Sequence, residues 1–456
     1  MLRAALLGLT VAGATPDTLD AELQSLQAQA AKGTSAYAIV ESLTTKVGAR
    51  LAGTEAEARA RAWAVEKFDE LGFEARIEPA TVEGWERGVE KATVTRPYPQ
   101  ALSITALGLS VATPKGGLEA PVLRVRSLDD LEARANAEVK GKIIFIDQSM
   151  ARTQDGSGYG AVVRIRSRGP STAARKGAQA VVIRSVGTDH HRFPHTGMLR
   201  YAEDAPAIPA AALSVPDAEQ LSRILALSDD VRLRLELRPR RTGTRPTGNV
   251  VADLKGRTRP EEIVLIGAHL DSWDLGTGAI DDGAGVGIVM ATLQLLRQMP
   301  QRPERTVRVV LFGAEEVGLV GAKAYAKTHA DTLDQHVLAA ESDFGAGPIY
   351  ALSADVGEAA WPKIEDLHTR VQHLKVILGE NGMGPGPDIY PLRGEGVPSL
   401  IPKQDGTDYF DVHHTADDTI DRIDPKNLDQ NVAVYATLIW AVANTNGSYR
   451  PLAQDR

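Results

Sequence analysis

The sequence contains no cysteine. This excludes disulfides, thiolate metal ligands and a thiol nucleophile, and it leaves the chain indifferent to redox compartment. Positive charge is also short: 51 Lys and Arg stand against 59 Asp and Glu, for a net charge of −8. No basic tract with interleaved aromatics occurs, so nucleic acid is not an expected partner. Beyond the N-terminus no apolar stretch approaches a transmembrane span, so no membrane span is expected. Internal repeats and low-complexity tracts are absent as well.

What is present reads as an ordinary globular composition, 43% hydrophobic and 24% charged. A chain of 456 residues exceeds the usual size of one core. Two domains, or one domain with a large insertion, are expected. The N-terminus runs Met1-Leu2-Arg3, an apolar stretch over residues 4–11, then Ala12-Gly13-Ala14. A basic start, a short apolar core and a small-residue end fit a secretory signal over residues 1–14. Export to the periplasm or the medium is therefore expected.

Residues 17–31 read as a helix. Thr54-Glu55-Ala56-Glu57 is a capping-box pattern, followed by Ala60, Ala64, Phe68 and Leu71 at helical spacing and a stop at Gly72. Residues 73–77 look like a strand. The texture then changes to short apolar runs at 121–126, 142–146, 180–184, 210–215 and 231–237, parted by Gly, Pro and charge, with one helical stretch at 171–177. Residues 95–245 are expected to form an inserted β-rich domain, with 239–246 as a linker. Residues 15–94 and 246–456 would then form the two parts of one main domain. From 248 strands and helices alternate: strands at 262–268, 306–313, 335–340 and 397–401, and helices at 283–298, 320–328, 359–370 and 425–443. This predicts an α/β fold, a three-layer, mostly parallel sheet with helices on both faces. Ligands bind such sheets beyond the carboxyl ends of the strands.

The chemistry-bearing residues fall at those ends. His269 and Asp271 follow one strand, Glu315 and Glu316 a second, and Asp343 a third. Asp281 and Asp282 enter a Gly-rich helix, and His413 and His414 precede the last helix. Each fragment alone has a plain reading, as a surface pair, a helix cap or a loop cap. Together, so many carboxylates on one sheet edge would repel strongly without cations. Two divalent ions would neutralise them. Two ions need a bridging carboxylate, and each needs an imidazole and a terminal carboxylate. A metal-bound water then becomes the nucleophile, and one glutamate must stay off the metals to shuttle its proton.

These residues resemble the M28 family of co-catalytic zinc exopeptidases, within it the plasma glutamate carboxypeptidase (carboxypeptidase Q) group. The resemblance rests on His269-Leu270-Asp271-Ser272-Trp273-Asp274, Gly278 to Gly285, Ala314-Glu315-Glu316-Val317-Gly318, Glu341-Ser342-Asp343, and His413-His414-Thr415 with Asp418-Thr419. Gly48 to Thr54 matches the family's opening segment, and the middle region with Pro194-His195-Thr196-Gly197 is similar to its protease-associated insert. The likeness covers nearly the whole chain after the signal. It implies two Zn2+ per chain, with His269 and Asp343 on one, Glu316 and His414 on the other, and Asp281 bridging through a cis peptide bond to Asp282. It implies Glu315 as general base and Asp271 behind His269, fixing its tautomer. His413 would donate to the oxyanion or only pack. Asp388, in a loop where Gly384 to Ile389 departs from the family pattern, would anchor a substrate's free amine or hold the loop. Residues 404–410 would line the substrate pocket. His190, His191 and His195 read as loop histidines near its mouth, not as another metal site.

The resemblance thus implies an exopeptidase acting on dipeptides or short peptides, and a homodimer. The preference between amine and carboxylate ends stays open. Two competing readings are an acyl transferase of the glutaminyl-cyclase type with one zinc, and a receptor-like homologue without catalysis.

Overall fold

The structure, a computed structural model, describes residues 16–452. The expected signal segment lies outside the described residues.

Two eight-stranded sheets organise the chain. In the larger, the strands run in the order Ala75–Glu86, Arg240–Leu254, Arg305–Phe312, Arg259–His269, His336–Glu341, Ser399–Gln404, Ile349–Asp355 and Ile377–Asn381. The four from Arg305–Phe312 to Ser399–Gln404 are mutually parallel. Antiparallel pairings lie to either side of them. The sheet is therefore mixed, where the sequence suggested a mostly parallel one. The alternating α/β pattern legible in the sequence covers the central strands, and the returns beside them need no crossover helix.

Helices cover both faces. One face carries Pro16–Ala30, Ala36–Lys46, Glu55–Glu70, Ala284–Arg297 and Pro425–Asn444, packed in one apolar cluster. The other carries Val320–Thr328 and Tyr390–Gly394 around Tyr325 and Leu392. Half of the expected capping box forms: the Thr54 hydroxyl accepts from the Glu57 amide at 3.2 Å, while the Glu57 carboxylate pairs with Arg61 and Thr247 and the Thr54 amide donates to the Leu51 carbonyl. Helix Ala284–Arg297 is the centre of the larger cluster. A Cβ at Gly287 would lie 2.7 Å from both the Ala36 carbonyl and the Val40 side chain, so this glycine sets the closeness of the two helices. The stretch Ala279–Arg297 is long and apolar enough to cross a membrane, contrary to the sequence reading, but it lies almost wholly buried inside the protein.

The smaller sheet, from Glu90–Arg96 to Arg232–Leu237, is also mixed, with a parallel run through Leu118–Val125, Ile143–Ile146, Ala180–Arg184 and Ala210–Leu213. Residues 240–246 are strand rather than linker. They belong to a ladder with Ala75–Glu86 that runs from Ala75↔Ala252 to Glu86↔Arg240 with a register shift between Gly84 and Trp85, so a long two-stranded ribbon joins the sheets. Their Thr, Arg and Pro content suits an exposed edge as well as a linker.

Candidate metal centre

The carboxyl ends of the parallel strands converge on one cleft of about 1270 Å³. His269 is the last residue of its strand and is buried. Its Nε2 lies 3.1 Å from Asp281 Oδ1 and 3.4 Å from Asp343 Oδ1. Strand Arg305–Phe312 ends before Gly313, and Ala314 then turns into the left-handed region at φ 57°. This turn, rather than continued strand alternation, presents Glu315 and Glu316. Glu316 Oε2 lies 3.0 Å from His414 Nε2, which is also 3.2 Å from Asp281 Oδ2. Asp281 therefore offers one oxygen to His269 and the other to His414. His269, Asp281 and Asp343 form one group able to hold a cation, and Asp281, His413 and His414 another.

The surrounding chain fixes these groups. Asp281 and Asp282 are joined by a cis peptide bond. Asp282 accepts from the His269 and Gly285 amides, each at 3.0 Å. Asp418 accepts from the amides of Ile280 at 2.6 Å and Asp281 at 3.2 Å. Arg50, fully buried, donates to the carbonyls of Leu270, Thr277 and Gly278. The sequence reading attached no role to Asp418 or Arg50, since a buried support carries no ligand signature. His414 itself adopts φ 61°, a region costly for a non-glycine residue and held where the surroundings demand it.

Comparison with known proteins gives the family. The model of peptidase family M28 matches residues 249–439. Carboxypeptidase Q of Mus musculus is 35% identical over 403 residues, 88% of this chain and 84% of that protein. The chain belongs to peptidase family M28. A crystal structure of a peptidase M28 precursor from Shewanella amazonensis SB2B is 48% identical, with TM-score 0.95 over 97% of this chain and 100% of that one. BSAP, a zinc aminopeptidase from Bacillus subtilis, is 20% identical with TM-score 0.66 over 93% and 98% of the two chains, and so shares the fold.

Two expectations for this M28 chain change with the structure in hand. His269 Nδ1 meets the main-chain carbonyl of Asp271 at 2.9 Å, while the Asp271 carboxylate is 3.8 Å away. That carboxylate instead accepts from the Glu315 amide at 3.0 Å. Asp271 thus holds His269 through its backbone and Glu315 through its side chain. Asp388 is fully buried and does not line the cleft. It sits behind Glu341, which does line it, and its amide donates to Glu341 Oε2 at 3.0 Å. A loop sequence carries no signal for which of its side chains turns inward.

Two of the three loop histidines outside the centre have carboxylate partners. His195 Nε2 meets Asp189 at 2.6 Å, and His191 Nδ1 meets Asp417 at 2.6 Å. Gln404, Tyr409 and Phe410 line the cleft, while Trp273 packs near the His414 ring.

Electrostatics set the demand for cations. Burial opposes charge on His269, but Asp343 and Asp281 outweigh it and hold its pKa well above the ordinary value. Burial likewise opposes charge on His414, and Glu316 and Asp281 overcome it, to about 9. Glu315 is pushed well up by burial and by its neighbour Glu316. His413 is pushed well down by burial and by His414, so it stays neutral. The imidazolium charges stand where metal ions would do the same neutralising work.

Proposed function

We propose that this M28 peptidase is an exported di-zinc exopeptidase that hydrolyses dipeptides or other short peptides. The observation that carries the reading is Asp281, with one carboxylate oxygen toward His269 and the other toward His414. The donors fit zinc, being imidazole and carboxylate only. Asp281 Oδ2 and Glu316 Oε1 are buried without a hydrogen bond, a costly state that a cation relieves. His269 and Asp343 would hold one ion, Glu316 and His414 the other, and Asp281 both. Zinc there supplies Lewis acidity, acidifying a water and neutralising charge on the scissile carbonyl.

Glu315 acts as the general base. It takes the proton of the attacking water and returns it to the departing amine nitrogen. Asp271 steadies it through the Glu315 amide. His413, neutral and facing the cleft, offers a hydrogen bond to the carbonyl oxygen. The smaller sheet is read as a protease-associated insert closing one side of the cleft, and the working unit as a homodimer.

The test is hydrolysis of unmodified dipeptides, its loss on chelation, its return with zinc, and zinc counting. Two zinc ions per chain with restored hydrolysis are expected. One ion per chain with cyclisation of N-terminal glutamine would replace this reading with acyl transfer.

A further inference from the structure

We propose that Tyr159, on the second sheet's side of the cleft, is a catalytic hydrogen-bond donor to the oxygen that becomes negative during hydrolysis, and that Arg166 positions it. The proposal rests on the exopeptidase reading above.

Tyr159 lies on helix Ser157–Val162, far in sequence from the strand-end cluster. It nevertheless lines the same cleft as His269, Asp281, Glu315, Glu316 and His414. Its ring stacks on Phe410 at 4.9 Å and meets His413 edge-on at 5.3 Å, which fixes its position beside the candidate metal ligands. Its hydroxyl accepts from Arg166 Nη2 at 2.7 Å. A guanidinium has no lone pair to accept with, so the phenolic proton must point elsewhere. Among the described residues no acceptor lies within hydrogen-bond distance of it. The donor is left for a group inside the cleft.

Arg166 is itself unusual. It is buried, and among the described residues no carboxylate pairs with it. Its Nη1 lies 3.4 Å from the Thr196 carbonyl and 3.4 Å from His414 Nδ1, and its Nε has no partner. A Cβ on Gly197 would fall 2.3 Å from Nη1, and Gly197 sits at φ 128°, so the backbone is shaped to seat this guanidinium. A buried cation without a counter-ion is costly, and negative charge developing nearby would offset that cost. Burial raises the Tyr159 pKa although Arg166 pulls it back, so the phenol remains a protonated donor at neutral pH.

In the step concerned, water oxygen bonds to the carbonyl carbon, Glu315 takes the water proton, and the π pair moves onto the carbonyl oxygen. Tyr159 donates a hydrogen bond to that oxygen and keeps its proton. Arg166 stays on the opposite lone pair of the phenol and polarises the O–H.

The test uses the zinc-loaded full chain and Tyr159→Phe. Loss of one such donor lowers kcat by about 100-fold, with KM changed less than about threefold. Zinc content is expected to be unchanged. Calorimetry with a tetrahedral phosphinic dipeptide analogue should show a loss of affinity of similar size, and a product dipeptide should show none. Arg166→Lys should keep part of the rate that Arg166→Met loses. A difluorotyrosine at position 159, whose phenol ionises closer to neutrality, should add an alkaline limb to the kcat profile. A kcat within about threefold of wild type, a rise confined to KM, or loss of zinc from the Phe variant would each overturn the proposal. If the wild type hydrolyses no peptide even with zinc, the exopeptidase reading fails instead.

Discussion

Thr196 grips His414 from both sides of the main chain: its amide donates to the His414 carbonyl at 3.0 Å, and its own carbonyl stands 3.3 Å from His414 Nδ1. The second sheet's side of the cleft thus orients a side chain of the main sheet's side. With Nδ1 turned to Thr196, Nε2 faces Glu316 and Asp281. His413, the neighbour stacked on it at 3.6 Å, has no such support and stands 3.6 Å from Asp281. Zinc counting by plasma mass spectrometry should therefore separate the two. His414→Ala is expected to drop one of two bound ions, and His413→Ala to keep both. The reverse pattern would exchange their roles.

Glu315 and Glu316 diverge at the Ala314 turn, and only Glu316 pairs with a histidine. Glu315→Gln should therefore keep the metals and lose the proton shuttle. The expected fall in kcat is about 10²–10⁴-fold, the usual size of general base catalysis. Stopped assays with a dipeptide, run beside zinc analysis of the same sample, check this. Full turnover in the Gln variant would remove Glu315 from the mechanism.

The convergence of His269, Asp281, Glu316, Asp343 and His414 was legible because ligand residue types stand at the ends of apolar runs, where an α/β sheet gathers them. The contribution of Tyr159, Arg166 and Thr196 was not, because they lie on the second sheet's side and carry no local ligand pattern. Of the two roles open to Asp388, its burial behind Glu341 fits holding the loop; the Gly-Pro loop around it has no periodicity to tell inside from outside. The composition of residues 239–246 suggests a linker because edge strands and linkers share a composition. Only the partner register with Ala75–Glu86 distinguishes them.

Arg50 holds three loop carbonyls around the centre, at Leu270, Thr277 and Gly278. Burial lowers its pKa, while Asp418, Asp271, Asp282 and Asp281 favour its charge. Arg50→Met keeps much of the volume but leaves those carbonyls unpaired in the interior. The expected loss is about 3 kcal/mol or more, since each unsatisfied buried group costs about 1–3 kcal/mol. Zinc should bind more weakly in step, because the loop that carries Asp281 loses its anchor. Denaturant unfolding with and without zinc measures both. An unchanged unfolding midpoint would show the carbonyls satisfied some other way.

Without metal, stability should fall as pH rises from about 6.5 to 9, the window between the ordinary histidine pKa and that of His414. In the folded chain His414 titrates at about 9. Its pKa is raised on folding, so its contribution is complete below the unfolded value and is lost as pH climbs through the folded one. Glu341 at about 8 and Asp418 at about 7 act in the same direction, since burial makes the folded state keep protons that the unfolded state has released. His413 and His336, both depressed by burial, and Asp281, depressed by its histidines, oppose this trend only at lower pH. Zinc would take over the charge of the departing protons, so the loaded protein should show a flatter curve. Thermal melts across that range, in chelator and in zinc, test the sign. A chelated protein that gains stability toward pH 9 would mean that the cluster does not depend on its protons when metal is absent.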